Sequence, residues 1–308
     1  MRRERPPRPE VSFDIHLYLR DRKDRVDTGL NKLLPRETDY PPTLCKAMRY
    51  GVLNGGKRIR PILAIAAFEA GDGVGEAILP FACAIELIHA YSLIHDDLPA
   101  MDDDDFRRGK PTVHKVFGEA EAVLAGDALL TEAFRTICQG ALEHGVDPKV
   151  AISIIHEISL TAGVRGLVGG QIVDMESEGQ DVDLPTIEYI HTHKTGALIL
   201  ASLRTGATLA KASPERLEAI TRYGERVGLA FQIVDDVLDI VGNSTALGKP
   251  VRSDEARRKA TYPGIVGIEE SKRLAENLVE EAIVHLAILE GKGEPLREIA
   301  RYLIQRTS

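Results

Sequence analysis

The densest potential chemistry in the sequence is an acidic run. Asp96, Asp97 and Asp102 to Asp105 fall within ten residues, and Arg107 and Arg108 follow at once. Carboxylates this crowded repel one another, and at the end of an apolar segment they also lose hydration. A hard divalent cation that takes oxygen ligands relieves both costs. A solvated acidic loop is the ordinary alternative for such a run. The adjacent arginines favour a metal-bridged phosphate instead, because guanidinium groups bind phosphate oxygens in a fixed fork. A second cluster, Asp235, Asp236 and Asp239 in FQIVDDVLDIVG, has i, i+1, i+4 spacing and no Lys or Arg inside it. Local ion pairing therefore does not account for it. Either string alone is weak, but two in apolar company are stronger, since a helix bundle can set them face to face across a cavity.

Acid walls that grip an anion through metal ions call for cations on the anion's other oxygens. GGKRIRP supplies Lys57, Arg58 and Arg60 after a Gly pair whose backbone can approach an anion. HKTGA supplies Lys194 beside Thr195, and the stretch from LGKP to KATYP supplies Lys249 and Lys259 on a loop. Each base alone reads as a solvated side chain; their value is joint. No Ser-His-Asp or Cys-His set offers a side-chain nucleophile. His191 and His193 are two apart, so on a helix they point about 200° apart and do not make an i, i+4 zinc pair. His95 is read as orienting the first acid pair. Gln171 and Asp174 either position a metal-bound phosphate group or form a buried hydrogen-bond pair.

The elements that must carry these groups are helical. From Thr43 to Ile304 apolar residues recur at spacings of three and four, with no strand-like alternation, which predicts an all-α fold. Breaks are expected at 71–75, 98–111, 145–148, 166–170, 179–185, 213–214 and 242–264, where Gly, Pro and acids gather. Neither a linker nor an internal repeat divides the pattern. The segment 77–95 is apolar on nearly every side and predicts a central buried helix. On a helical wheel its polar exceptions His89 and Ser92 share a stripe with Asp96, within about 60°. The same wheel sets Gln232, Asp235, Asp236 and Asp239 on one face, opposite Ile233, Val237 and Ile240.

A chain of 308 residues, 44% hydrophobic, can bury one large core or two. Its net charge of -8, with no Lys/Arg block, disfavours a nucleic-acid partner. Cys45, Cys83 and Cys138 are odd in number and lie in apolar surroundings, so they read as reduced core thiols of a cytoplasmic protein. The basic, proline-rich start lacks the apolar stretch of a secretory signal, and no uncharged apolar run reaches the ~18 residues of a membrane span.

Taken in order, GGKRIRP, ELIHAYSLIHDDLPAMDDDDFRRGKPTVHKVFGEAEAVLAGDALL, GGQIVDM, HKTGAL, FQIVDDVLDIVG, LGKP and KATYP resemble the short-chain trans-isoprenyl diphosphate synthase family, and most closely its bacterial farnesyl-forming members. The resemblance implies a single-domain all-α bundle around a deep central cavity, usually homodimeric. Residues 1–40 would be a variable N-terminal segment with the first helix, and 41–308 the catalytic domain. It implies three Mg2+ ions, replaceable by Mn2+, held by Asp96, Asp102 and Asp235 with Asp97, Asp236 and Asp239 in support. Arg107, Lys194, Lys249 and Lys259 would hold an allylic diphosphate, and Lys57, Arg60, His89 and Arg108 would hold isopentenyl diphosphate. Thr195 and Gln232 would turn oxygens toward the allylic cation. Tyr91 and Ser92 would set chain length, an aromatic at Tyr91 flooring the pocket at fifteen carbons. Arg252 and Arg258 stand where the family often has glycine. The reaction so implied is ionisation of the allylic diphosphate, attack by the isopentenyl double bond and proton loss to released diphosphate. A geranylgeranyl synthase is the runner-up. A terpene cyclase would give GGKRIRP no purpose, and a silent partner subunit would typically have lost one acid cluster.

Overall fold

A computed structural model of the chain describes residues 13–241, 259 and 261–305. Lys249, Arg252 and Arg258 lie outside the described residues. The architecture is all-α, as the spacing predicts. The helices are α1 (Ile15–Leu33), α2 (Pro42–Leu53), α3 (Ile59–Ala70), α4 (Ile78–Asp96), α5 (Val113–Phe117), α6 (Glu119–Glu143), α7 (Pro148–Ala162), α8 (Leu167–Ser177) and α9 (Leu184–Ile190). A π-helical turn, His191–Gly196, joins α9 to α10 (Ala197–Leu209). Then come α11 (Pro214–Val241), α12 (Tyr262–Val266), α13 (Ile268–His285), a 3₁₀ segment (Leu286–Gly293) and α14 (Glu294–Gln305).

The apolar segment around residue 85 becomes the central helix. α4 packs chiefly on α6 and α3 and touches α1, α2 and α10. Its residues Phe81 to Ile88 are buried without interruption, including Glu86. By length and composition α4, and Pro148–Ser177 taken together, would suffice to cross a membrane. α4 is instead enclosed by its neighbours, and the other stretch is broken at Gly163–Gly166 between α7 and α8. Apolar burial on this scale contributes about 25 cal/mol per Å², which is why an almost moment-free helix belongs at the centre.

The structure departs from the sequence reading in four places. First, the loop after α4 contains a two-residue ribbon, β1 (Phe106–Arg107) against β2 (Lys110–Pro111). Its connecting residues Arg108 and Gly109 both have positive φ (54° and 74°), as a type I′ hairpin turn requires. Secondly, the break expected at 166–170 falls at Gly163–Gly166: α8 begins at Leu167, and Gly169 and Gly170 are buried within it. Thirdly, Cys138 is exposed on α6, while Cys45 and Cys83 are buried as expected. Fourthly, Arg58 is taken up by carboxylates of the protein itself and is not left for a phosphate. It sits at φ 55°, only 3% exposed, and donates to Asp27 (2.8 Å), Glu86 (2.6 Å) and the Val52 carbonyl (2.7 Å). A buried guanidinium is tolerable only when so paired. This clamp ties the start of α3 to α1 and α4.

Candidate active site

The C-terminus of α4 delivers Asp96 and Asp97 to one end of the bundle. Helix C-termini carry partial negative charge, so two carboxylates there are electrostatically disfavoured unless cations come near. The loop folds back so that the Asp102 backbone N–H donates to the Asp96 carbonyl (2.7 Å), which brings the third acid onto the first. Burial raises the Asp96 carboxyl above the usual range and the Asp102 charge adds to it, while Lys194 pulls the other way. Burial also pushes Asp97 up to about 6, although Arg107 binds its Oδ1 through Nε (2.6 Å). A second Arg107 nitrogen lies 2.6 Å from the same oxygen and 3.6 Å from Asp104.

Two lysines cross from the facing elements. Lys194, in the π-helical turn, donates to Asp174 of α8 at 2.5 Å. Lys259 donates to Asp102 at 3.2 Å and lies 3.8 Å from Asp174. Asp174 thus belongs to the cleft, where it pairs with lysine and not with Gln171; the sequence motif GGQIVDM carried it, but its partner is 20 residues away. Close approach of α8 makes the pairing possible. A Cβ on Gly170 would meet the Lys194 backbone N at 2.2 Å. The cleft is lined by Asp174, His191, Lys194, Thr195, Gln232, Asp236, Lys259 and Thr261.

On α11 the acid cluster divides. Asp235 is half-buried, while Asp236 and Asp239 are buried, so the three do not form one open wall. Asp236 accepts from His191 Nε2 (2.9 Å), the Tyr262 backbone N–H (3.0 Å) and Gln232 Nε2 (3.2 Å). Gln232 Oε1 in turn accepts from the Thr195 hydroxyl at 2.8 Å, which fixes two oxygens side by side at the cleft. His191 and Tyr262 were not singled out for this role, and no local signal marks it, since the contacts span 45 and 26 residues.

A second basic group gathers at the start of α3. An Arg60 terminal nitrogen lies 3.4 Å from His89 Nε2. Arg60 Nε is buried with no hydrogen-bond partner. Burial, with Arg60 and Arg108 nearby, holds the His89 imidazole well below its ordinary value, so it is neutral at pH 7. Arg108 donates to the Gly55 carbonyl, and its guanidinium packs on Gly56 (φ 128°), where a Cβ would lie 2.7 Å from it. The Gly pair therefore makes room for an arginine side chain. Lys57 is exposed beside it. The Ser92 hydroxyl bonds to the His89 carbonyl (3.0 Å), and Tyr91 is buried with its ring edge-on to His95 (centroids 5.7 Å apart). His95 bonds to the Val123 carbonyl (3.0 Å), so it braces α6 and not the acids.

Among the described residues no three His, Cys, Asp or Glu side chains converge as a ready metal cage. Magnesium seldom uses one: it takes one or two carboxylates and completes its shell with water and substrate phosphate. Oxygen-only donors, with the Asp96 and Asp97 carboxyls raised by burial, suit such an ion.

Carboxylates and lysines thus interleave around the cleft of an all-α bundle, a donor set that suits a phosphorylated ligand and a hard metal ion. The chain belongs to the polyprenyl synthetase family, whose model matches residues 41–287, and it is a prenyltransferase of isoprenoid synthesis. It is 46% identical over 300 residues to a geranylgeranyl diphosphate synthase of Cyanophora paradoxa, covering 97% of this chain and 99% of that one. It is 44% identical over 296 residues to a farnesyl diphosphate synthase of Geobacillus stearothermophilus, covering 96% and 99%. The crystal structure of an FPP/GFPP synthase from Zymomonas mobilis matches with a TM-score of 0.83 at 38% identity, covering 94% of this chain and 98% of that one. The family is magnesium-dependent.

Proposed function

We propose that this chain condenses isopentenyl diphosphate with dimethylallyl and geranyl diphosphates and releases farnesyl diphosphate. The observation that carries the reading is the lysine-bridged carboxylate pair: Lys259 spans Asp102 of the first acid cluster and Asp174 of α8, and Lys194 caps Asp174. These pairs are what the allylic diphosphate and its ions would replace. Asp96, Asp102 and Asp235 are proposed as the ligands of three Mg2+ ions, with Asp97 and Asp239 in support. Bound magnesium would neutralise the charge growing on the leaving diphosphate. Lys194, Lys259, Arg107 and, from its motif, Lys249 would hold that diphosphate in place.

Arg60, Lys57, Arg108 and the neutral His89 would hold isopentenyl diphosphate. The buried, unpartnered Arg60 Nε supports this, because such a donor is costly until an acceptor arrives. The Thr195 and Gln232 oxygens would face the allylic cation in a water-poor cleft and stabilise it electrostatically. No side chain need form a covalent bond, and the departing diphosphate takes the proton.

The fifteen-carbon product rests on Tyr91, an aromatic residue one and a half turns below Asp96, about 7.5 Å along α4. Twenty carbons is the second reading, favoured by the packing of Tyr91 against His95 in the core. Residues 41–308 are proposed as the catalytic domain of a soluble cytoplasmic homodimer. Its interface would cover the exposed Val116, Val123 and Leu124 on α5 and α6, and sedimentation would show the state. Incubating purified protein with isopentenyl and dimethylallyl diphosphates and magnesium, then measuring product length by chromatography, tests the function. Formation of no prenyl diphosphate would overturn it, and a product of twenty carbons would correct its length.

A further inference from the structure

We propose that Asp236, the second acid of the α11 cluster, is a positioning residue and not a metal ligand, and that with His191 it holds three cleft-lining elements in one arrangement. Its side chain is 4% exposed and that of His191 is 6% exposed. Oδ2 accepts from both His191 Nε2 and the Tyr262 backbone N–H, and Oδ1 accepts from Gln232. Three donors occupy most of a carboxylate's acceptor directions. Asp235, one residue back, is turned by about 100° on the helix and is close enough to Arg60 to act on its charge.

The connections form closed circuits. His191 opens the π-helical turn whose later residues are Lys194 and Thr195, and Thr195 returns to Asp236 through Gln232. Both ends of the turn are thereby tied to one carboxylate. π-turns are rare and strained, and they persist where surrounding contacts hold them. On the other side, Tyr262 lies three residues beyond Lys259. Its ring stacks on His191 (centroids 5.4 Å apart, 27° between planes), and its hydroxyl donates to Glu188 of α9 at 2.9 Å. One buried side chain therefore sets Thr195 with Lys194, Gln232, and Lys259 relative to each other.

The inference rests on the prenyl-transfer reading only for its activity arm. His191→Phe keeps a ring on Tyr262 but removes the donor, Asp236→Asn removes the charge, and His191→Gln keeps a donor. His191→Phe and Asp236→Asn should each lower kcat about 10- to 100-fold, the range for losing a partner behind a site group, with the magnesium concentration at half-maximal rate changed less than about threefold. The double variant should be no worse than Asp236→Asn alone, because the two act as one unit. His191→Gln should recover much of the loss. In metal-free protein, amide exchange at 192–196 and at Tyr262 should quicken about tenfold or more in the first two variants and stay at the wild-type rate in α4 and α6. A rise in magnesium requirement above about tenfold in Asp236→Asn, with exchange at 192–196 unchanged, would make Asp236 a ligand and overturn the proposal. So would wild-type exchange and turnover in His191→Phe. If the wild type transfers no prenyl group, the function fails and the exchange arm still decides the anchor.

Discussion

Gly170→Ala adds one methyl group and no charge, yet it should disable the cleft. The new Cβ would stand 2.2 Å from the Lys194 N, 2.7 Å from its Cα and 2.9 Å from the His193 carbonyl carbon. Ordinary contact starts at 3.4 Å, so the shortfall is 1.2 Å, and the obstructing atoms are backbone on both sides, with no side chain to rotate aside. α8 must therefore withdraw from the π-helical turn by about that distance. Overpacking costs about 1–3 kcal/mol, and the better helix propensity of Ala returns ~1 kcal/mol, leaving a net loss of up to roughly 2 kcal/mol. Asp174, one turn along α8, moves with it, and its 2.5 Å pair with Lys194 opens. A misplacement of ~1 Å in a positioning group costs on the order of 100-fold in rate. Saturating steady-state kcat and thermal unfolding measure the two effects. Gly291→Ala, which meets nothing within 4 Å, is the control and should match wild type. Wild-type kcat and Tm in Gly170→Ala would refute the close-approach argument. A lowered Tm with unchanged kcat would show that this contact does not place Lys194.

Arg60→Ala should raise the KM for isopentenyl diphosphate with a smaller effect on kcat, and Lys194→Ala should mainly lower kcat; initial rates with each substrate varied in turn would expose the reverse pattern. Asp97 has a folded value of about 6 against 3.8 for the free side chain, so its neutral form suits the metal-free fold. The stability tied to it is full below pH 3.8 and is lost as pH rises through 6, roughly 3 kcal/mol in all. Asp97→Asn, neutral throughout, should accordingly gain on wild type between pH 4 and 7 in chemical denaturation without magnesium, and a pH-independent difference would contradict this. Tyr91→Ala should lengthen the product to twenty carbons or more and cost about 3 kcal/mol, as for other buried aromatic truncations, and an unchanged product profile would separate Tyr91 from chain length.

Much of this molecule was legible in one dimension because its signals are local. Periodicity of three and four made the bundle all-α, and the apolar segment 77–95 became its central helix because no side of it tolerates water. The two acid clusters stood out as candidate sites because the first crowds six carboxylates into ten residues and the second has no Lys or Arg inside it. What tertiary structure decided is which neighbour each polar group meets. Arg58 and Arg60 sit two residues apart in GGKRIRP, but packing turns the first into a clamp on Glu86 and Asp27 and leaves the second beside His89. Asp235 and Asp236 are adjacent in sequence, and only the fold sets the second against His191 and Tyr262. Gly170 looked like part of a break and instead lets α8 reach the Lys194 backbone, while Gly169 beside it packs on the Val164 carbonyl. Helix propensity and hydrophobic spacing act over a few residues, so sequence carries them. Ion pairs and hydrogen bonds across 20 to 157 positions depend on distances that exist only once the helices have packed.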